Sequence, residues 1–381
     1  MKIAFFAEQD PRLPRPFLDD SHSLMGNAGL NFGNLAFWYG ASFLSKDSAQ
    51  FFGWNSKADE IKSCDLILIP AANWLSNSTD FGFLSDIIEE VDKPVVILGL
   101  GIQSNKGIDD IRLKDGTLRF VRSIAKRTPA MLVRGELTKQ FLNSLGVDNV
   151  TVGACPSLFI NKTLELGSTI QKKIGELKDK GRPNIAIHAL NHGETELKRI
   201  ERLLFSMTTQ FNADYIIQSP QSFVKILLDE SLTEKDLSSL NTLHKFIAPN
   251  ISYQDFIGEV KQRTTFFNNI PSWILRLRQM HCVINTRIHG AMLGVAAGLP
   301  SICIHHDIRT KELSDATAIP SIGVRDLQSW DMDIHELFSL SSFDGAAFDA
   351  NRANKAKITR DILEQLGVTV HDNIIKISTS I

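Results

Sequence analysis

The sequence predicts an α/β protein built from two doubly wound, Rossmann-like domains that face a cleft, and three observations predict it. The 381 residues exceed what one hydrophobic core usually serves. Short runs that are apolar at every position recur along the chain, the pattern of parallel strands buried on both faces. Stretches of helical period lie between those runs, so strand and helix alternate.

The apolar runs are Ile3 to Ala7, Leu66 to Ile69, Val95 to Leu98, Met131 to Val133, Ile185 to Ile187, Tyr215 to Ile217, Cys282 to Ile284 and Ser301 to Ile304. Helical stretches between them include Phe83 to Val91, Leu118 to Lys126, Leu137 to Leu145 and Leu197 to Phe211. From Asn161 to Arg182 the composition shifts to Lys, Glu and Gly, and Gly181-Arg182-Pro183 precedes a fresh buried run. That shift divides a first domain over residues 1–165 from a second over 166–340. In the remaining tail, 341–381, Arg352 to Leu366 has helical period and stops at Gly367, a residue suited to the position after a helix end. The tail is expected to pack back across the first domain.

Composition narrows the function. A hydrophobic fraction of 43% and a charged fraction of 22% are ordinary globular values. A net charge of -2 argues against a protein built to coat nucleic acid, so any bound anion is met locally. Cys64, Cys155, Cys282 and Cys303 lie far apart and are expected to be buried free thiols, which implies a reducing compartment. The apolar start Met1 to Ala7 meets Glu8, Gln9 and Asp10 at once, too short for a signal peptide, and reads as a first strand. No stretch approaches the roughly 18 consecutive apolar residues of a membrane span. A cytoplasmic protein is expected, with room for a peripheral contact at the inner membrane face.

The most informative segment runs from Val283 to Pro300: a buried strand, then Thr286-Arg287-Ile288-His289-Gly290, then a small-residue helix ending at Gly298. In doubly wound sheets ligands bind at the carboxyl ends of strands, where a helix N-terminus adds amide donors and a positive dipole end. A cation and an imidazole there suit an anionic ligand that must gain or lose a proton. The bland alternative is an ion pair for Arg287 and a core role for His289. The two lie only two residues apart at a strand-to-helix switch and are followed by Gly290 and Ala291, which favours the anion site.

Four further segments are candidates. Leu98-Gly99-Leu100-Gly101-Ile102-Gln103 follows a buried strand and reads equally as a plain turn or as a cradle for phosphate or carboxylate, since it lacks the third glycine of a dinucleotide fingerprint. Arg134, at the end of the Met131 to Val133 strand, offers a second guanidinium fork on the same cleft, or a surface ion pair. Asn27 to Trp38 is a glycine- and asparagine-rich loop opening a helix; Asn31 and Asn34 could meet sugar hydroxyls and Trp38 could stack on a sugar, although such loops are more often turns. Ile304 to Leu313 carries His305, His306 and Asp307 and reads as an anion-binding strand end rather than a metal site, because adjacent histidines point apart on a strand.

Taken together, the element at Asn31 to Asn34, Gly99 to Gln103, the region around Arg134, the turn Gly153 to Leu158, Arg287 to His289 and the strand end at Asp307 resemble, in order, the motifs of the polysaccharide pyruvyl transferase family. The resemblance implies a GT-B-like pair of domains. It also implies phosphoenolpyruvate as donor, a sugar or lipid-linked oligosaccharide as acceptor, and a pyruvate ketal across two hydroxyls as product, as in capsule and exopolysaccharide biosynthesis. By motif match Arg287 and His289 are the catalytic candidates, and Arg134, Gly99, Gly101 and Gln103 join them in donor binding. Asn31, Asn34, Trp38, Asn73 and Trp74 fall on the acceptor side. No cofactor, metal or nucleic acid is called for. Where the family often has Asp, this chain has Asn34, so a base at that position is missing. His289, held protonated by the donor's anions, would be the acid. A GT-B-type glycosyltransferase or epimerase using a nucleotide sugar, and a non-catalytic sugar- or anion-binding protein of the same fold, are the competing functions.

Overall fold

A computed structural model describes residues 1–13, 19–104, 107–190, 197–327 and 334–380. The first sheet contains β1 (Lys2–Phe6), β2 (Ser48–Phe52), β3 (Leu66–Pro70), β4 (Val95–Leu100), β5 (Met131–Val133) and β6 (Val150–Val152), in the order β2-β1-β3-β4-β5-β6. The second contains β7 (Ile185–His188), β8 (Ala213–Ile216), β9 (Thr264–Thr265), β10 (Cys282–Asn285), β11 (Ser301–His305) and β12 (Ser321–Gly323), in the order β12-β11-β10-β7-β8-β9. Every pairing between these strands is parallel. The protein is therefore an α/β molecule with two doubly wound sheets, the fold class expected from the alternation of elements.

Burial explains why most strands were visible in the sequence. Every residue of β3, β4 and β10 is buried, because helices cover both faces of a parallel sheet. Alternate residues serve separate cores: Ile3 and Phe5 of β1 point into one apolar cluster, Ala4 and Phe6 into the other. The edge strand β2, Ser-Ala-Gln-Phe-Phe, is mostly half-exposed and reads as polar. β12 is only three residues, Ser-Ile-Gly.

The strand orders fix two switch points, one between β1 and β3 and one between β7 and β10, where chains leaving adjacent strands turn opposite ways and open a crevice. The tail helix Gly345–Gln365 leans on the first domain's exit: the Arg352 guanidinium donates to the carbonyls of Leu158 (3.1 Å), Thr163 (2.7 Å) and Asn161, and Lys355 donates to Val152 O (2.9 Å). Val370 then bridges Ser45, and His371 N donates to Leu44 O at 2.9 Å. All four cysteines are buried and unpaired. No helix among the described residues is long and apolar enough to cross a membrane.

Candidate functional site

The two sheets meet strand end to strand end around a cleft of about 220 Å³. The first domain contributes Asn31, Asn34, Asn73, Trp74, Gln103 and Arg134, and the second contributes Gln218, Thr286, Arg287, His289, His306 and Arg309. Eight of the residues singled out from sequence thus line one cavity: Asn31, Asn34, Asn73, Trp74, Gln103, Arg134, Arg287 and His289. Three do not. Trp38 is 4% exposed and belongs to the apolar core beneath the loop, so it offers no stacking face to a sugar. Gly99 and Gly101 lie behind Arg134 instead: Gly99 supplies a carbonyl to the guanidinium, and a Cβ at Gly101 would stand 2.9 Å from Arg134 Cδ.

Arg134 leaves β5 buried, with 1% exposure. Its Nε donates to Gly99 O (2.9 Å) and its Nη1 to Asn73 Oδ1 (2.6 Å), while Nη2 is buried without a partner. Arg287, the residue before the helix Ile288–Ala296, is held by a carbonyl and a hydroxyl: Nη2 donates to Leu190 O (2.5 Å) and to Ser219 Oγ (3.2 Å). Leu190 itself sits at φ 75°, unusual for a branched residue, and its N–H donates to Glu201 Oε2 at 2.7 Å. Thr286 Oγ1 donates to the other oxygen of the same buried carboxylate, also at 2.7 Å. Glu201 therefore holds both the Leu190 backbone, whose carbonyl meets Arg287, and the Thr286 side chain just before Arg287.

Arg309 is a third cation on the cleft. It sits in the first turn of the helix Ile308–Thr317, whose N-cap Asp307 accepts from Thr310 N (2.9 Å) and from Arg309 Nε (2.6 Å). Burial pushes the pKa values of Arg134 and Arg287 down, and Arg309 pushes both further in the same direction. Arg309 is paired with Asp307, yet its charge still disfavours the charged forms of Arg134 and Arg287, and an anionic ligand would offset that repulsion.

His289 follows Arg287 in the first turn of the same helix, 7% exposed, with its ring 5.2 Å from that of Phe37 and its Nε2 buried without a partner. Burial first, then Arg134, holds its pKa well below the usual histidine value. The neutral ring is therefore favoured in the ligand-free protein, and an anion brought beside it would favour the protonated form. Gly290 lets this helix lie on β7, since a Cβ there would collide with the His188 side chain. That buried histidine is structural: Trp273 Nε1 donates to its Nε2 at 2.9 Å, its Nδ1 meets Asn285 Oδ1 at 2.6 Å, and burial brings its pKa to about 4.

The Asn31 to Asn34 loop is held by its own side chains. Asn31 Oδ1 accepts from Gly33 N (2.9 Å), and Asn34 Nδ2 donates to Ala28 O (3.0 Å) and Gly29 O (3.3 Å). An ionised carboxylate at position 34 could make neither of the last two bonds, so the asparagine has a structural task of its own. The domains are also latched beside the cleft. Glu312 accepts from Thr138 N (2.6 Å) and Thr138 Oγ1 (2.9 Å) at the start of the helix Glu136–Ser144.

Sequence reasoning missed Gln218 and gave Arg309 no role of its own. Arg309 lay inside a quoted segment, and its position two residues after the strand-end Asp307 was the available signal. Gln218 follows an ordinary strand and carries none. A wider cavity of about 680 Å³ adjoins the cleft, with His306 lining both and His305, Asp307, Lys311, Arg325 and Lys355 among its walls.

The chain is similar in fold to several sugar-nucleotide enzymes, at 9 to 11% identity: MnaA of S. aureus solved with UDP (9%, covering 96% of this chain and 97% of that one, TM-score 0.45), a UDP-N-acetylglucosamine 2-epimerase from Rickettsia bellii (10%, 99% and 98%, TM-score 0.45), and the UDP-GlcNAc 2-epimerase of Neisseria meningitidis bound to UDP-GlcNAc (11%, 96% and 99%, TM-score 0.42). A search of curated proteins finds no match. The model of the family described as polysaccharide pyruvyl transferase matches residues 30–308, well over half of the 381 residues and the span that holds almost every wall of the cleft. The chain belongs to the polysaccharide pyruvyl transferase family.

Proposed function

We propose that this protein transfers pyruvate from phosphoenolpyruvate onto two hydroxyls of a sugar in a glycan or glycan precursor, forming a ketal. One observation carries the reading: a cleft of about 220 Å³ holds Arg134, Arg287 and Arg309 with buried, unpartnered nitrogens of Arg134 and His289, and no aspartate or glutamate is among the described residues lining it. Such a site wants a small ligand with more than one anionic group. Phosphoenolpyruvate carries a carboxylate and a phosphate, and forks from both domains suit that pair.

In the reaction a sugar hydroxyl forms a bond to C2 while C3 takes a proton, converting the enol carbon pair into a methyl group and a tetrahedral centre. A second hydroxyl then bonds to C2 as the C2–O bond to phosphate breaks, and the two hydroxyl protons balance the one gained at C3 and one leaving with phosphate or to solvent. His289 lies in the cleft to serve the proton at C3: neutral when the cleft is empty, it becomes the acid once the donor's charge outweighs Arg134. The arginines would stabilise charge on the carboxylate and the departing phosphate. Asn31, Asn34, Asn73 and Trp74 would face the acceptor.

The test is phosphate release from phosphoenolpyruvate across a panel of free, nucleotide-linked and lipid-linked sugars, alongside thermal shifts with phosphoenolpyruvate, UDP-sugars and GDP-sugars. Stabilisation by phosphoenolpyruvate and acceptor-dependent phosphate release are expected. Stabilisation by a nucleotide sugar with none by phosphoenolpyruvate would overturn the reading in favour of a nucleotide-sugar enzyme, and donor binding without release on any acceptor would favour a binding protein.

A further inference from the structure

The contact between the loop Asn31-Phe32-Gly33 and the end of β8 joins the two domains at the lip of the cleft. Phe32 N donates to Gln218 O at 3.0 Å, and the Phe32 ring stacks on Phe266 at 5.1 Å, so the loop is seated on the second domain by both backbone and side chain. At its tip a Cβ on Gly33 would collide with the Gln218 side-chain oxygen and stand 3.0 Å from its Cδ. Only glycine leaves that space. The Gln218 side chain fills it, 2% exposed, lines the cleft, and keeps its amide nitrogen buried without a partner.

The neighbouring amides are occupied otherwise. Asn31 Oδ1 accepts from Gly33 N, and Asn34 Nδ2 donates to two loop carbonyls. Gln218 and Arg287 line the same cleft, and Ser219 Oγ, on the residue after Gln218, accepts from Arg287 Nη2 at 3.2 Å. A flip of the amide exchanges its two ends within one volume, so the group can turn an N–H toward an anion. A buried donor left unpaired is costly unless a ligand completes it.

We propose that Gln218 is a donor-binding residue that gives a neutral N–H to an anionic group of phosphoenolpyruvate next to Arg287, and that Gly33 is glycine in order to admit it. The proposal rests on the phosphoenolpyruvate reading above. Its chemistry is distinct from that of the arginines: a carboxamide adds direction without adding to the crowded positive charge.

The experiment titrates phosphoenolpyruvate against wild type, Gln218→Leu, Gln218→Glu, Gly33→Ala, Gln218→Ala and the double variant Gly33→Ala/Gln218→Ala, with melting temperature followed throughout. Gln218→Leu is expected to weaken donor binding roughly ten- to hundredfold, the range of a hydrogen bond to a charged group. The nearly isosteric Gln218→Glu should weaken it further, because a carboxylate would face the donor's charge. Gly33→Ala should reproduce the loss in the wild-type background yet add little to Gln218→Ala, where the space has been vacated. Donor affinity within twofold of wild type in both Gln218→Leu and Gln218→Glu overturns the assignment while leaving the pyruvyl transfer reading intact. An equal effect of Gly33→Ala in both backgrounds overturns the role given to Gly33. Wild type that binds no phosphoenolpyruvate overturns both this proposal and the reading beneath it.

Discussion

Replacing Arg134 with methionine should separate what this side chain does for the fold from what it does for the ligand. The folded, ligand-free protein keeps a guanidinium that is 1% exposed, satisfied at Gly99 O and Asn73 Oδ1 and unsatisfied at Nη2. Losing two charge-assisted bonds costs about 3 to 6 kcal/mol together. Against this, removing a buried charge relieves several kcal/mol of desolvation, and the orphaned donor another 1 to 3, roughly. The two sides nearly cancel, so Arg134→Met is expected to melt within a few degrees of wild type, and methionine fills much of the volume that alanine would leave empty. Ligand linkage has no such compensation. At about 100 times its Kd the donor adds about 2.7 kcal/mol to wild type, an upward shift of roughly 5 to 10 °C for a unit of this size. Thermal denaturation with and without saturating phosphoenolpyruvate reads both quantities at once. Near-wild-type melting with the donor shift abolished is the expected result. A variant that melts more than about 10 °C lower yet still shows the full donor shift would refute the reasoning and make Arg134 a structural residue.

Two further outcomes follow from the same geometry. His289 has a pKa well below the usual value in the empty cleft and a bound anion is expected to raise it, so donor binding should take up a proton: affinity should strengthen as pH falls through the bound-state value and level off at the free-state value, and His289→Gln should flatten this dependence in calorimetric titrations while abolishing phosphate release. Glu312→Ala removes the acceptor for Thr138 N and Oγ1 at the domain contact, and a loss of about 1 to 3 kcal/mol in denaturant unfolding is expected, whereas an unchanged midpoint would show that the latch holds nothing.

What could be read from the sequence and what could not divide along physical lines. Strands buried on both faces announce themselves, and so β3, β4 and β10 were placed to within two residues, but β2 at an edge and the three-residue β12 have too little apolar pattern to register. Charged and titratable groups at strand-to-helix switches also stood out, since Arg134 and His289, buried, and Arg287, half-buried, are expensive to place there without a task. Trp38 misled because an aromatic in a glycine-rich loop looks like a stacking platform, whereas its place in the first turns of the helix Asn34–Ser42 turns it into the core. Gln218 was invisible because a glutamine after a strand is ordinary until the other domain closes over it. Only the three-dimensional meeting of Gly33 and Gln218, 185 positions apart in the chain, gives either residue its meaning.

The asparagine at position 34 bears on how the proton moves. Its side-chain nitrogen ties down Ala28 and Gly29, and no carboxylate is among the described residues that line the cleft. A fixed anionic base would in any case be held ionised by three arginines, and so would accept a hydroxyl proton poorly. The imidazole that the proposed reaction can use is His289, on the cleft beside Arg287. Attack by a sugar hydroxyl releases one proton and C3 consumes one, so the addition step is proton-neutral and needs a carrier rather than a permanent base. Under the proposed reaction, a histidine that is neutral in the empty site and gains charge beside the donor would meet that need. In the proposed reaction, phosphate departure would then remove the anion that kept the ring charged and return His289 to the neutral state.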